Sequence, residues 1–322
     1  MKKFLLPEGG SFYKANLHGH STISDGRWTP EEVKQRYQEK GYSVVAFTDH
    51  HVFVRHNELT DETFIALNGM EIGAINEAPK KTRKNCDFCL IALNPDIVDR
   101  PQWDTTQCVP DELGRKVLMK FDPDFVNAVL ADAKKMGFFV TYNHPTWSLA
   151  EYSDYMAYSG MHAMEICNYG CVLYGHDEHN ARIYNDMLRA GKRLYCIATD
   201  DNHCKPGMPD YFGGFTMIKA EKLSYTDITD ALLKGNFYAS EGPLIESLWY
   251  EDGKVTITTS PARGITITKP GRNVALVREE GKLITQASFD VDADDPYFFI
   301  TVIGEDGNKA YTNAYYPDEM LK

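Results

Sequence analysis

Short apolar runs that end on histidine or carboxylate side chains recur along this chain, separated by segments with helical punctuation. One run closes on His18 and His20 and is followed by Asp25. Ser43 to Phe47 closes on Thr48-Asp49-His50, and Glu71 follows Gly69-Met70. Phe138 to Tyr142 delivers His144, and Arg193 to Ala198 leads to Asp200, Asp201, Asn202 and His203. Between these runs, Thr29 reads as an N-cap, with Pro30 at the first helical position and Glu31 and Glu32 on the positive end of the dipole. Val33 and Tyr37 face inward and Gly41 stops that helix. Asp122-Pro123 opens another helix, with Val126, Val129, Leu130 and Ala133 on one face and Gly137 as terminator. A third carries Ile183, Met187 and Leu188, closes at Gly191, and follows a strand-like run from Met161 to Cys167. Strands alternating with helices predict a largely parallel, barrel-like α/β arrangement. In such barrels the C-terminal strand ends share one face, so these donors are expected to converge.

At 322 residues the chain accommodates a barrel plus a small appended domain. After Pro243 the pattern changes to short alternating strands, Val255 to Thr258, Ile265 to Thr268 and Phe298 to Ile303, set off by Asp-Gly and Pro-Gly turn signals. We therefore expect a barrel over 1–243 and an all-β sandwich over 244–322. The stretch from Glu77 to Lys120, rich in basic residues and proline, is expected to be a loop-rich excursion.

The chain carries 34 basic and 46 acidic residues, a net charge of −12, which disfavours long nucleic acid and anionic membrane surfaces. No run approaches the roughly 18 apolar residues of a membrane span, and Phe4, Leu5 and Leu6 are too few for a signal-peptide core. Seven cysteines, an odd number scattered between strand-like segments (Cys167, Cys196) and loops (Cys86, Cys89, Cys108, Cys171, Cys204), suit free thiols in a reducing compartment. The expected location is the cytoplasm, the alternative being a secreted form whose signal has been removed. Nothing in the chain specifies an oligomer.

Residues two apart on a strand project to one face, so His18 and His20 are able to reach one metal, and Asp201 and His203 share that spacing. Cys86 and Cys89 have the spacing of half a zinc knuckle, but no second pair follows and Cys89 already looks like part of a strand. His176 and His179, three apart near a helix start, are candidates for one helix face, either as ligands or as hydrogen-bonded histidines. Arg27, Arg55 and Lys205 flank proposed donors and are candidates to contact a non-reacting phosphate oxygen, against a plain solvated role. His51 is a weak candidate for protonating a leaving group. Trp28, Trp147 and Tyr169 flank the donor loops and are expected either to stack on a substrate or to pack.

Taken together, Asn16-Leu17-His18-Gly19-His20-Ser21 with Ser24-Asp25-Gly26, Thr48-Asp49-His50, Gly69-Met70-Glu71, Asn143-His144-Pro145 and Asp201-Asn202-His203 resemble, in order, the motifs of the PHP (polymerase and histidinol phosphatase) superfamily of metal-dependent phosphoesterases. Arg182 to His203, Gly213 to Ala220 and Phe237 to Pro243 are similar to two-domain members with a small β-sandwich after the barrel. The resemblance implies a distorted (β/α)7 barrel holding two or three divalent metal ions, Mn, Fe or Zn. It implies His18, His20, Asp25, His50, Glu71, His144, Asp201 and His203 as ligands, with Glu71 bridging. Many trinuclear members carry a further histidine where this chain offers Glu165, Cys167 and Asn168. Asp200 is left to orient a ligand or to replace one.

The expected activity is hydrolysis of a small-molecule phosphomonoester or phosphodiester by a metal-activated hydroxide, with Asp25, Glu71 and His203 in the catalytic set. The same electrophilic activation serves a carbonyl carbon, so a metal-dependent amidohydrolase is the competing enzyme. A metal-bound binding protein without catalysis is the third reading.

Overall fold

The computed structural model describes residues 2–111 and 114–320. Met1, Leu321 and Lys322, at the ends of the two expected domains, lie outside the described residues. Seven strands hydrogen-bond in the order Ser11–Asn16, Val44–Phe47, Ile65–Ile75, Asn85–Ala92, Phe138–Tyr142, Ala163–Asn168 and Tyr195–Thr199. Just past the last of them Asn202 forms a parallel bridge with Gly19, just past the first, so the pairing path returns to its start. A single buried cluster takes Ala15, Val44, Ile65, Ile91, Phe139, Ala163 and Ile197, a residue from every strand of that path. The mixed α/β class is as expected, and the ring of pairings is compatible with the distorted barrel.

Asn85–Ala92 departs from expectation. It runs antiparallel to both Ile65–Ile75 and Phe138–Tyr142, in the middle of a segment expected to be loop. Every residue of it after Asn85 is buried, so its continuous apolar run Phe88 to Ala92 is that of a strand covered on both faces. Its flanks, rich in lysine and proline, hid that signal. Cys108–Pro110 and Lys116–Lys120 add a small antiparallel pair in the same stretch. Cys89 lies on a strand as its setting suggests, Cys86 sits on the same buried strand rather than in a loop, and all seven cysteines are buried and free.

Helix Pro30–Glu39 starts as its sequence dictates. The Thr29 side chain accepts from the Glu32 backbone N–H while the Glu32 carboxylate accepts from the Thr29 N–H, which satisfies two otherwise unpaired donors. Helix Pro123–Lys135 is capped by Asp122 and buries Val126, Val129, Leu130 and Ala133 as the periodicity predicts. Among the described residues no helix is long and apolar enough to cross a membrane.

The sheet continues outward through Phe215–Ala220, antiparallel to Ser11–Asn16, then Phe237–Ser240, then Lys309–Thr312. The C-terminal strands pair antiparallel, and the N-terminal Lys3–Phe4 joins them on Ile245–Glu251. Two strands expected as separate are one, Lys254–Thr268. Its first part pairs with Ile284–Asp290 and its second with Phe299–Gly304, with register shifts on either side of Ala262. The strand therefore passes from one partner to the next along its length, with the irregularity at the point of exchange.

Candidate metal centre

Except for Glu71, which sits within strand Ile65–Ile75, the donors lie beyond the strands that deliver them, which lets their backbones depart from extended geometry. His144 and Asp201 both have positive φ, 25° and 50°, a conformation costly for residues with a Cβ. Gly19, between His18 and His20, accepts the close approach of Asn202: a Cβ there would lie 2.2 Å from Asn202 Oδ1. With that contact in place His20 N–H donates to Asn202 O, Asp201 N–H donates to His18 O, and the first and last donor loops are bound together.

Glu71 occupies the centre. Its Oε1 lies 3.3 Å from both His18 Nε2 and His144 Nε2, and its Oε2 lies 2.9 Å from His50 Nδ1 and 3.5 Å from His20 Nε2. Asp201 Oδ1 lies 3.0 Å from His20 Nε2 and 3.2 Å from His18 Nε2. His203 does not join Asp201 in facing that pair. Its Nε2 lies 3.4 Å from Asp25 Oδ2, and Asp25 Oδ1 is 3.8 Å from His50 Nε2. The ligand-type atoms thus gather into three groups: His20, Asp25, His50 and His203; His18, Glu71 and His144; His18, His20 and Asp201. Within each, the atoms lie within 4.8 Å of one another.

The groups differ in exposure. His18, His20 and Glu71 are sealed from solvent, whereas Asp25 is about half exposed. Burial opposes a charge on His50, yet the Glu71 carboxylate beside it pushes its pKa up to about 9. Burial likewise opposes a charge on His144, and hydrogen bonding to Glu71 together with the Asp201 charge raises it to about 10. His20, buried and facing His50 and His203, is lowered to about 4. The pocket therefore attracts positive charge. His18 Nε2, buried 3.3 Å from Glu71 Oε1, and Glu71 Oε2, buried 2.9 Å from His50 Nδ1, form no well-aligned hydrogen bond, which suits atoms that face a further ligand. Imidazoles and carboxylates without thiolate in these groups fit Mn, Fe or Zn.

Other residues hold the donors in place. Glu165 accepts from His18 Nδ1, Thr199 Oγ1, the His144 backbone N–H and Asn168 Nδ2. Asn143 Nδ2 donates to Glu71 Oε1, and Ser148 Oγ lies 3.1 Å from His144 Nδ1. Asp49 accepts from the backbone and hydroxyl groups of Ser21 and Ser24, shaping the loop that carries Asp25. Sequence reasoning assigned none of these orienting roles. A polar residue at a buried strand position, as Glu165 is, was the available signal.

Asp200 turns away from the donor groups. It accepts from Tyr37 Oη and from the backbone N–H groups of Phe212, Gly213 and Gly214, so it braces a loop and does not stand in for a ligand. Arg27 and Arg55 are exposed and Lys205 half-buried, and among the described residues none of the three side chains makes an ion pair. The Arg27 backbone N–H donates to His203 O. Burial and the neighbouring His50 lower His51 to about 4, so it carries no proton to give as an imidazolium near neutrality. Trp28 packs on Tyr211, and Tyr169 covers Gly213. Trp147 stays 39% exposed with its ring edge-on to His144. His176 and His179 precede helix Ala181–Arg189 rather than sharing its face, and His179 bridges to Cys167.

No family model matches the chain, and no curated protein matches it. Among solved structures it is similar to a two-domain protein from Bacteroides vulgatus described as containing a "predicted PHP-like metal-dependent phosphoesterase". The two share 17% identity at a TM-score of 0.50 over 97% of this chain and 98% of that one. It also matches a Bifidobacterium adolescentis protein provisionally assigned as a metal-dependent phosphoesterase, at 17% identity, TM-score 0.40, and 62% and 91% coverage. A third match is an amidohydrolase from Chromobacterium violaceum with bound sulfate and no metal, at 15% identity, TM-score 0.36, and 60% and 88% coverage. At these identities the likeness to the Bacteroides protein is one of fold, and it runs the full length of both chains.

Proposed function

We propose that this chain is a metal-dependent phosphoesterase that hydrolyses a small phosphomonoester or phosphodiester. The observation that carries the reading is the position of Glu71, whose two carboxylate oxygens face two different histidine sets, His18 and His144 on one side and His20 and His50 on the other. A carboxylate so placed would hold two cations at once, and these would supply the charge stabilisation that in-line displacement at phosphorus needs. The ligands are His18, His20, Asp25, His50, Glu71, His144, Asp201 and His203, holding two or three ions of Mn, Fe or Zn. Such ions supply positive charge that lowers the pKa of water and screens the anionic oxygens of the ester.

The protein's own groups perform the rest. Glu165 and Asn143 fix His18 and Glu71, so the ligand set needs little rearrangement on binding. Asp25 and His50, the two most exposed donors, stand where ester and water enter, with His203 beside Asp25 but less exposed, and Asp25 is able to orient the attacking water. Arg27, Arg55 and Lys205 take the non-reacting oxygens. The catalytic unit spans 1–243 and the β unit 244–322, and the seven free, buried thiols favour a reducing cytoplasm.

The test is protein loaded separately with Mn, Fe and Zn and offered chromogenic phosphate monoesters and diesters beside amides and lactones. We expect phosphate ester turnover that disappears on chelation. Amide or lactone turnover without phosphate release would replace this reading with an amidohydrolase, for which the donor set is equally suited. Absence of any hydrolysis by metal-loaded protein would leave a binding role.

A further inference from the structure

Away from the eight donors, a second group of ligand atoms comes together from three parts of the chain. Cys167 is the last residue but one of strand Ala163–Asn168, His179 precedes helix Ala181–Arg189, and Glu241 follows strand Phe237–Ser240. One sulfur, one imidazole nitrogen and one carboxylate oxygen lie within 4.8 Å of one another, and this group shares no residue with the other three. We propose that Cys167, His179 and Glu241 form a separate site for a single borderline-soft divalent cation, zinc in the cell and cobalt as its probe. The proposal stands apart from the phosphoesterase reading.

Four features converge on it. The backbones of Cys167 and His179 are joined by an antiparallel bridge, and the Glu241 backbone N–H donates to Lys309 O at 2.9 Å, so the three positions are fixed by main-chain bonds. His179 Nε2 already lies 3.0 Å from Glu241 Oε1. Glu241, with its side chain 8% exposed, keeps Oε2 buried and without a hydrogen-bond partner. The other ring nitrogen, His179 Nδ1, lies 3.6 Å from the exposed Asp177 Oδ1, within reach of a carboxylate that would orient the imidazole from behind once Nε2 takes the ion.

The donor chemistry selects the ion. Tetrahedral zinc holds sulfur at about 2.3 Å and nitrogen or oxygen at about 2.0 Å, which sets donors roughly 3 to 4 Å apart. About 1 Å of side-chain movement brings these three to that spacing. Thiolate in the set disfavours Mg, Ca and Mn, unlike the all-nitrogen-and-oxygen groups around Glu71. His179 is 30% exposed, leaving room for water as fourth ligand. Burial and the nearby Glu241 charge push the Cys167 thiol up, so it is protonated before the ion arrives. Binding forms the metal–sulfur bond and releases that proton to solvent. The ion would clip the strand carrying Cys167 to the segment leading into the C-terminal strands.

Full-length protein stripped of metal and titrated with Co(II) alone tests this by its near-ultraviolet thiolate-to-cobalt absorption and by ions bound per chain. We expect the band in the parent and in His203→Ala, and its loss in Cys167→Ser together with one bound ion. Because Cys89 lies beside the first site, a band persisting at full strength in Cys167→Ser, or cobalt uptake equal to the parent's, overturns the proposal. His179→Ala, at a partly exposed position that folding tolerates more readily, is expected to weaken cobalt binding at this site at least tenfold. Unchanged affinity there overturns it equally.

Discussion

His18 Nδ1 donates to the Glu165 carboxylate at 2.7 Å, with both side chains fully buried. The contact fixes the tautomer of His18 and turns Nε2 toward Glu71 and Asp201. A charged acceptor behind a ligating imidazole raises its basicity and holds its plane. Glu165→Gln, which keeps the shape and removes the charge, is expected to lower metal affinity about 10- to 100-fold. Calorimetric metal titration checks it, and parental affinity in the folded variant counts against the role.

Asp200 and Asp201 are neighbours with opposite duties. Asp201→Asn is expected to reduce bound metal and cut hydrolysis by about 100-fold or more while leaving the fold intact. Asp200→Asn should keep its metals but lose about 1 to 3 kcal/mol of stability, because the amide nitrogen replaces one oxygen and cannot accept the two hydrogen bonds that oxygen holds, Tyr37 Oη and Phe212 N–H on Oδ2 or Gly213 and Gly214 N–H on Oδ1. Metal analysis beside denaturant unfolding separates the two, and the reverse pattern would exchange their assignments.

Thr29 closes both halves of the capping box on helix Pro30–Glu39. Thr29→Ala should cost about 1 kcal/mol in denaturant unfolding at unchanged m-value. No measurable loss would mean that packing of Val33 and Tyr37 carries the helix alone.

His162 supplies a pH dependence remote from the donors. Its Nδ1 accepts from the Val140 backbone N–H at 2.9 Å, and its ring stacks on Phe139. Burial, with a smaller effect from Lys134, lowers its pKa from 6.5 to about 4. Between those values the unfolded chain binds more protons than the folded one, so stability rises with pH and is lost as pH falls from 6.5 toward 4. In His162→Gln the melting temperature should fall less steeply over that window than in the parent. Identical slopes would remove His162 as a source of acid sensitivity.

Where local chemistry dominates, the chain was legible. Thr29-Pro30 and Asp122-Pro123 mark real helix starts because capping is settled within four residues. Phe138–Tyr142 has the bounds its apolar run indicates. Asn85–Ala92 was not legible, since a strand covered on both faces has no alternation and its pairing partners, Ile65–Ile75 and Phe138–Tyr142, are distant in sequence. Val255 to Thr258 and Ile265 to Thr268 belong to one strand, Lys254–Thr268, because the residues between them lie where that strand changes partners, which pairing alone decides.

The order of the donor-type side chains along the chain, most of them just past an apolar run, was set by the sequence itself, because side-chain chemistry and the alternation of apolar runs with helix signals are local properties. Which donor meets which was decided only by the tertiary structure. Adjacent Asp200 and Asp201 face different surroundings, and Asp201 and His203, two apart, belong to different groups, because positive φ at Asp201 rotates the chain out of the strand pattern. That turn persists through the bonds of Asn202 across Gly19, contacts between the two ends of the ring that exist only once the ring has formed.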